Sequence, residues 1–434
     1  MSGNDPKKIG RFFSLIGLGR YNRANNFYPY FAVLLAPIFY KTYQQMHSYL
    51  LAGLGLLFSL GLWAQQPDTT LYYIKTTGKL PQLAMSKGTD RLGSAKMGYI
   101  DTGIVLRVAD TSGGLYTVKL SANRLAYLDM NAGSRVVPAN WQPVVTTASW
   151  RAKPGVGYDS LTIGLGQKVP YTTHMLLHPA RIVLHLYGVQ ANTNWITQLQ
   201  GLKAIGSLDY RQVETDVVEV TISLKDKHHS GHRVIYKGNN LHVLIKHAVA
   251  GKGLRHKTIV VDAGHGGSNT GAKGVATGIL EKEYTLLFAK ALQRELTRKG
   301  AKVLMVRTTD TAIDNKDRVL WATSANPDAF ISIHLNAAGR PTVRGTSTYY
   351  KHVAFSNLSQ AILRQLLKVQ QLEEFGLIGS FNFQPVQPTA FPSTLIEVAF
   401  LSNPQDEAMI MQADFRKKVA KAIRKGLQQW LRKP

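Results

Sequence analysis

Cysteine is absent from all 434 residues. That excludes disulfides and thiolate metal sites, so a bound metal must be held by His, Asp or Glu. Acidic residues are scarce as well: 26 Asp and Glu stand against 52 Lys and Arg, a formal net charge of +26. Such a surplus favours an anionic surface, whether nucleic acid, anionic lipid or a cell-wall polymer. Zinc-finger spacing and RNP-like aromatic patterning are both missing, so nucleic acid is not an expected partner. Long apolar runs are lacking too. Residues 27–40 are interrupted by prolines, and residues 48–64 fall short of the roughly 20 residues of a spanning helix. The second run ends at Ala64 before "QQPDTT". It reads as an export signal cleaved after Ala64, with an uncleaved anchor as the alternative. Met46, just ahead of it, is a second candidate start.

The rest is ordinary globular material, 44% apolar and 18% charged, long enough for several domains. The expected architecture is multidomain: a C-terminal α/β domain preceded by two small all-β domains. Residues 1–64 form an N-terminal extension with the signal-like segment. Residues 68–140 hold short β-branched and aromatic runs such as "TLYYIK" and "GGLYTVKLS", with "DTSGG" as a hairpin loop. This strand rhythm resembles a bacterial SH3-like barrel. Residues 141–250 are a second β-rich block. There "HPARIVLHLYGV" followed by "VVEVTISL" resembles an AMIN-type module, a β-sandwich found ahead of cell-wall amidases. His174, His178, His185, His228, His229 and His232 fall in this block and are expected on the surface or on strand faces. "KDKHHSGHR" is expected to be a solvated basic loop.

A linker rich in glycine and lysine, "AVAGKGLRHK", leads into residues 255–434, where strand and helix patterns alternate. "KTIVVDAG", "KVLMVR", "DAFISIHL", "GTSTYY" and "STLIEVAF" read as strands. Helices are expected over 284–299, 314–324, 357–371 and 414–431, each with apolar residues at helical spacing. This alternation predicts a sheet with helices on both faces.

The chemistry gathers at strand ends. "TIVVDAGHGG" delivers His265 to a glycine-rich turn, where α/β folds bind ligands. Glu281 lies in "GILEKEY", His334 in "FISIHLNAA" and Glu397 in "STLIEVAFLSN". Two histidines, a carboxylate ligand and a second carboxylate suit a catalytic zinc site. Glu283, two residues on, is the alternative to Glu281. A glutamate inside "TLIEVAF" is costly to bury unpaired, which makes sense beside a metal.

These motifs, in this order, resemble the zinc-dependent N-acetylmuramoyl-L-alanine amidase family over residues 257–431. The resemblance implies His265, Glu281 and His334 as Zn2+ ligands and Glu397 as the catalytic carboxylate. It also implies an exposed groove for peptidoglycan. Arg318 and Asn336 match positions near such a site and are read as supporting or substrate-contacting. Two departures stand out. Asn269 takes the place of an aspartate common in relatives, and the stretch ahead of Glu397 lacks expected arginines. The connection from "SIHLNA" to "RGTSTYY" is short, without the inhibitory helix some relatives carry, so no obligatory activator is expected. The resulting expectation is an exported enzyme of the periplasm or cell envelope, acting on peptidoglycan and favouring an anionic wall surface. The rivals are a zinc peptidase acting on stem peptides and a non-catalytic cell-wall binding protein.

Overall fold

A computed structural model describes residues 72–88, 92–248, 251 and 253–432. The apolar runs at 27–40 and 48–64, Ala64 and Met46 lie outside the described residues.

Short alternating segments build an antiparallel first block. Tyr72–Thr76 buries Ile74 and Thr76 and pairs on either side with Val105–Ser112 and Gly133–Val136. The chain reverses at Gly113 and Gly114, whose φ of 58° and 75° favour glycine, and returns as Leu115–Lys119. Seven strands complete this sheet. The second block holds a four-stranded sheet, with Arg181–Tyr187 and Val217–Leu224 at its centre. A further sheet is built on Val145–Pro154, Tyr158–Leu165, Asn240–Lys246 and His232–Lys237. One apolar cluster runs from Ile74 to Ile245 through both blocks, so they share an interior.

The "KDKHHSGHR" loop departs from expectation. His229 and His232 are buried rather than solvated. His229 Nε2 donates to the Leu176 carbonyl, and His232 Nε2 bonds Thr173 Oγ1. Lysine and arginine set the polarity of the stretch, but tertiary contacts decide which of its residues turn inward.

The C-terminal part follows the expected alternation. Its elements are β1 (Thr258–Ala263), α1 (Glu281–Thr297), β2 (Lys302–Met305), α2 (Asn315–Ala325), β3 (Ala329–Asn336), β4 (Thr346–Tyr349), α3 (Ser356–Leu366), β5 (Glu374–Ile378), β6 (Ser393–Phe400), α4 (Pro404–Met411) and α5 (Ala413–Arg432). The sheet order is β2-β1-β3-β6-β4-β5. All neighbours are parallel except β4 and β6. β1 and β3 are buried on both faces, as apolar runs in a parallel sheet demand.

Helices cover both faces. Ile259, Val261, Ile331 and Ile333 pack with apolar residues of α1, α3 and α5 on one side. Val260 and Phe330 pack with Ala322 of α2 and with Phe391 on the other. Helix α3 ends at Leu366 rather than at 371, and Gln371 has a φ of 73°. The capping residue Leu367 is still right-handed, and beyond it the chain tightens into i→i−3 turns, with the Lys368 and Val369 amides bonding to the Gln365 and Leu366 carbonyls. Strand β5 and helix α4 were not expected from the sequence pattern. β5 is short and its glycine weakens the signal, whereas α4 starts at Pro404 behind an Asn403 side-chain cap.

Candidate metal centre

The site lies at the carboxyl ends of β1 and β3, where the first residue of α1 meets them. Strand alternation puts Phe330, Ser332 and His334 on one face of β3, the face where Phe330 packs with Ala322 and Phe391. His334 and Glu397 are register partners on the adjacent parallel strands β3 and β6. Their side chains therefore share a face. Glu397 is partly exposed between buried residues of β6.

His265 enters from the turn after β1, at a φ of 60°. Left-handed backbone at a histidine is uncommon and must be held by its surroundings. Here two arginines hold it. Arg318 on α2 pairs with buried Asp262, donates to the Ala263 carbonyl at 2.8 Å and donates to the His265 carbonyl at 2.6 Å. Arg307, after β2, donates to the carbonyls of Ala263, Gly264 and Lys282 at 2.9, 2.8 and 2.6 Å. Arg318 was anticipated near the site, and it acts on backbone rather than on the cluster. Arg307 was missed because nothing local marks "VRTT" as more than a strand end.

Glu281 is the first residue of α1 and is buried. Its Oε1 accepts the Leu335 amide at 3.0 Å, and its Oε2 accepts the Ala272 amide at 2.8 Å. Glu283 is exposed and stands outside the cluster. Three atoms converge. Glu281 Oε1 lies 3.0 Å from His265 Nε2 and 3.1 Å from His334 Nδ1, and the two ring nitrogens are 3.2 Å apart. A tetrahedral ion bound at about 2.0–2.1 Å needs ligand atoms roughly 3.3 Å apart. The donor set and its spacing therefore fit a metal ion such as zinc. Burial disfavours a charged His265, but its hydrogen bond to Glu281 outweighs this and raises its pKa. Burial opposes ionisation of Glu281 also, yet both imidazoles hold it well below the usual carboxylate range.

The two histidines are oriented differently. His265 Nδ1 is 2.8 Å from Asn269 Oδ1. The amide oxygen accepts, so Nδ1 carries the proton and Nε2 turns its lone pair inward. Asn269 thus serves where an aspartate was expected. His334 is held by packing. Its Nε2 is buried without a hydrogen-bond partner among the described residues. A Cβ on Gly264 would come within 2.3 Å of its ring, and the Phe383 ring meets it edge-on at 5.4 Å. Asn336 ends β3 and donates to the Tyr349 hydroxyl at 3.3 Å. The stretch ahead of Glu397, which lacks arginines, instead places Phe381 and Phe383 beside Tyr349 and His334.

A partly buried His–Glu–His cluster at the strand ends of an α/β sheet, with a glutamate on the neighbouring strand, is a donor set that could hold a metal ion, as in metal-dependent hydrolases. The family profile described as N-acetylmuramoyl-L-alanine amidase matches residues 259–429. The chain belongs to that family through its C-terminal part. It is 35% identical over 192 residues to a probable cell wall amidase LytH of Staphylococcus epidermidis, covering 44% of this chain and 64% of the relative. The corresponding protein of Staphylococcus aureus is 35% identical over 189 residues, covering 43% and 63%. The chain thus spans under two thirds of the length of these relatives. Among solved structures, the catalytic domain of CwlV from Bacillus (Paenibacillus) polymyxa var. colistinus is 32% identical. That match covers 40% of this chain and 98% of that one, with a TM-score of 0.39.

Proposed function

We propose that the protein is an exported zinc-dependent peptidoglycan amidase. It hydrolyses the amide between the lactyl group of N-acetylmuramic acid and L-alanine of the stem peptide. The observation that carries this reading is the convergence of His265 Nε2, Glu281 Oε1 and His334 Nδ1 within 3.2 Å, with Glu397 in register beside His334. Membership of the amidase family supplies the substrate class.

Zinc, when bound, acidifies a water and polarises the scissile carbonyl. The chain does the rest. Glu281 and two neutral imidazoles provide the ligands, and Asn269 fixes the tautomer of His265. Glu397 takes the proton of the attacking water and returns it to the leaving alanine nitrogen. Ile396 and Val398, both buried, limit the freedom of its backbone. Arg318 and Arg307 hold the strained turn that presents His265.

Residues 68–140 and 141–250 are read as SH3-like and AMIN-like modules that direct the enzyme to the wall. Peptidoglycan and an anionic wall surface are the partners, the periplasm or cell envelope is the site of action, and no separate activator is required. Among the described residues no helix is long and apolar enough to cross a membrane.

The test is digestion of purified peptidoglycan by residues 65–434, with and without a zinc chelator, read by mass spectrometry. Free stem peptides beginning with alanine are expected only with zinc, and not from Glu397→Ala. Cleavage inside the stem would replace the amidase by a stem-peptide peptidase. Wall binding without cleavage, identical in Glu397→Ala, would leave only a binding protein.

A further inference from the structure

His334 lacks the hydrogen-bonded support that Asn269 gives His265. Its ring is positioned by Gly264 on one side and by Phe383 on another. Gly264 belongs to the turn that Arg307 holds. Phe383 belongs to residues 379–392, a stretch with one short turn at Gln384–Val386 and no strand. Irregular backbone beside a metal ligand needs an external support if it is to hold a ring in place.

That support comes from both β blocks. From the first, Gln82 Nε2 donates to Gln387 Oε1, and the Lys96 amide reaches Asn382 Oδ1 at 3.4 Å. Lys79 of the same block pairs with Asp317 on α2 at 2.6 Å. From the second, the His232 amide donates to the Thr389 carbonyl at 2.8 Å, and Thr389 Oγ1 donates back to the His232 carbonyl at 2.9 Å. Gly231, with a φ of 110°, lies so close to the segment that a Cβ there would come within 2.2 Å of the Ala390 carbonyl oxygen. Within the catalytic part, His352 Nε2 donates to the Gln387 carbonyl at 2.7 Å, and Gln387 donates to the Asn382 carbonyl. Asn382 and Gln387 thus flank Phe383 in sequence and are tied to each other and to the first β block.

We propose that the two β blocks act in cis as a brace for residues 379–392, and that through Phe383 this brace fixes the ring of His334 and so the affinity of the metal centre. The accessory blocks thereby shape the site itself, beyond any role in reaching the wall. Phe383, Thr389 and Gln82 are positioning residues in this scheme. The inference rests on the metal-centre reading above and not on the identity of the bond cleaved.

The test is a double-mutant cycle read by zinc affinity and by amide hydrogen exchange, both in residues 65–434. The brace is loosened by the pair Gln82→Ala and Thr389→Val, and the contact is removed by Phe383→Ala. Each is expected to weaken zinc on the order of 3- to 10-fold, below the 10- to 100-fold cost typical of losing a hydrogen-bonded supporting partner. Combined, they should weaken it no further, because the brace acts through Phe383. Exchange across 380–391 should speed up in the brace variant while that of β1 and β3 stays unchanged. Additive losses would show that the contacts are merely structural, and unchanged affinity with unchanged exchange would overturn the brace outright. If zinc were bound as expected but no stem peptide released, the amidase reading would fall while the brace stood. If zinc were not bound, the link to the metal would fall, and exchange across 380–391 would decide whether the segment is braced at all.

Discussion

At the scale of single residues, the site is organised by what surrounds the ligands. His265 and His334 are chemically alike, yet one ring is oriented by an amide oxygen and the other by packing. Removing the amide should therefore affect the metal directly. Asn269→Ala is expected to weaken zinc by about 10- to 100-fold, while Asn269→Asp, which keeps an acceptor, retains or tightens binding. Competition against a chelator of known affinity measures this, and equal losses for both variants would contradict the orienting role. Asp262 and Arg318 form a buried pair whose acceptor side is completed by Ser332 at 2.8 Å. Such a pair is costly to break from one side, about 3–5 kcal/mol, because the partner charge stays buried. Here that cost is spent on the turn carrying His265. His265, His334 and Glu397 were legible in the sequence because each interrupts an apolar strand or a glycine turn, whereas Glu281 at the start of α1 competed with Glu283. Arg307 and Phe383 were not legible. An arginine after a strand and a phenylalanine in a loop acquire meaning only from the atoms they meet.

At the scale of elements, the junction between the β blocks and the catalytic part carries two histidines, His232 buried and His352 half-buried. Burial pushes His232 down to about 3, and the nearby His229 and His352 push it the same way. Burial also pushes His352 down to about 4. Its hydrogen bond to the Gln387 carbonyl opposes this, while Lys351, His174 and His229 add to it. Both folded values lie below the ordinary value near 6.5 for an unfolded histidine. Between those limits the unfolded chain binds more protons, so stability rises with pH. The thermal midpoint should thus fall as pH drops from about 6.5 towards 4, and level off above about 7 on the histidine side. Melting of metal-free protein at successive pH values tests this, with His232→Gln expected to flatten the slope. A midpoint unchanged between about pH 7 and 5 would refute the linkage. The helices and strands of the catalytic part were largely legible, since their apolar periodicity is set by which face must be buried. The end of α3 was not, because the chain tightens into i→i−3 turns after Leu366 while the apolar spacing runs on. Nor were β5 and α4, each too short to build a periodic signal.

At the scale of the whole molecule, twice as many basic as acidic residues give the chain an excess of 26 positive charges. An interaction with an anionic wall polymer through exposed charges is screened over about 8 Å at physiological ionic strength. Binding of the Glu397→Ala protein to purified wall should weaken steadily as salt rises from about 0.05 to 0.5 M, whereas zinc affinity, set by a buried cluster, should change little. Sedimentation of protein with insoluble peptidoglycan measures the first. Salt-independent retention would move the recognition to uncharged contacts.

The sequence by itself determined the alternating strand and helix pattern, the all-β character of residues 72–246, and the three polar residues His265, His334 and Glu397 that interrupt apolar strands and a glycine turn. Local periodicity and the cost of burying polar groups fix these before any fold is known. Only the tertiary structure decided which nitrogen of each histidine faces the cluster, that Glu281 rather than Glu283 joins it, and that His229 and His232 turn inward. It alone brought Gln82 of one block and Thr389 of another to the same loop. Those outcomes depend on contacts between residues far apart in the chain, and no local preference encodes them.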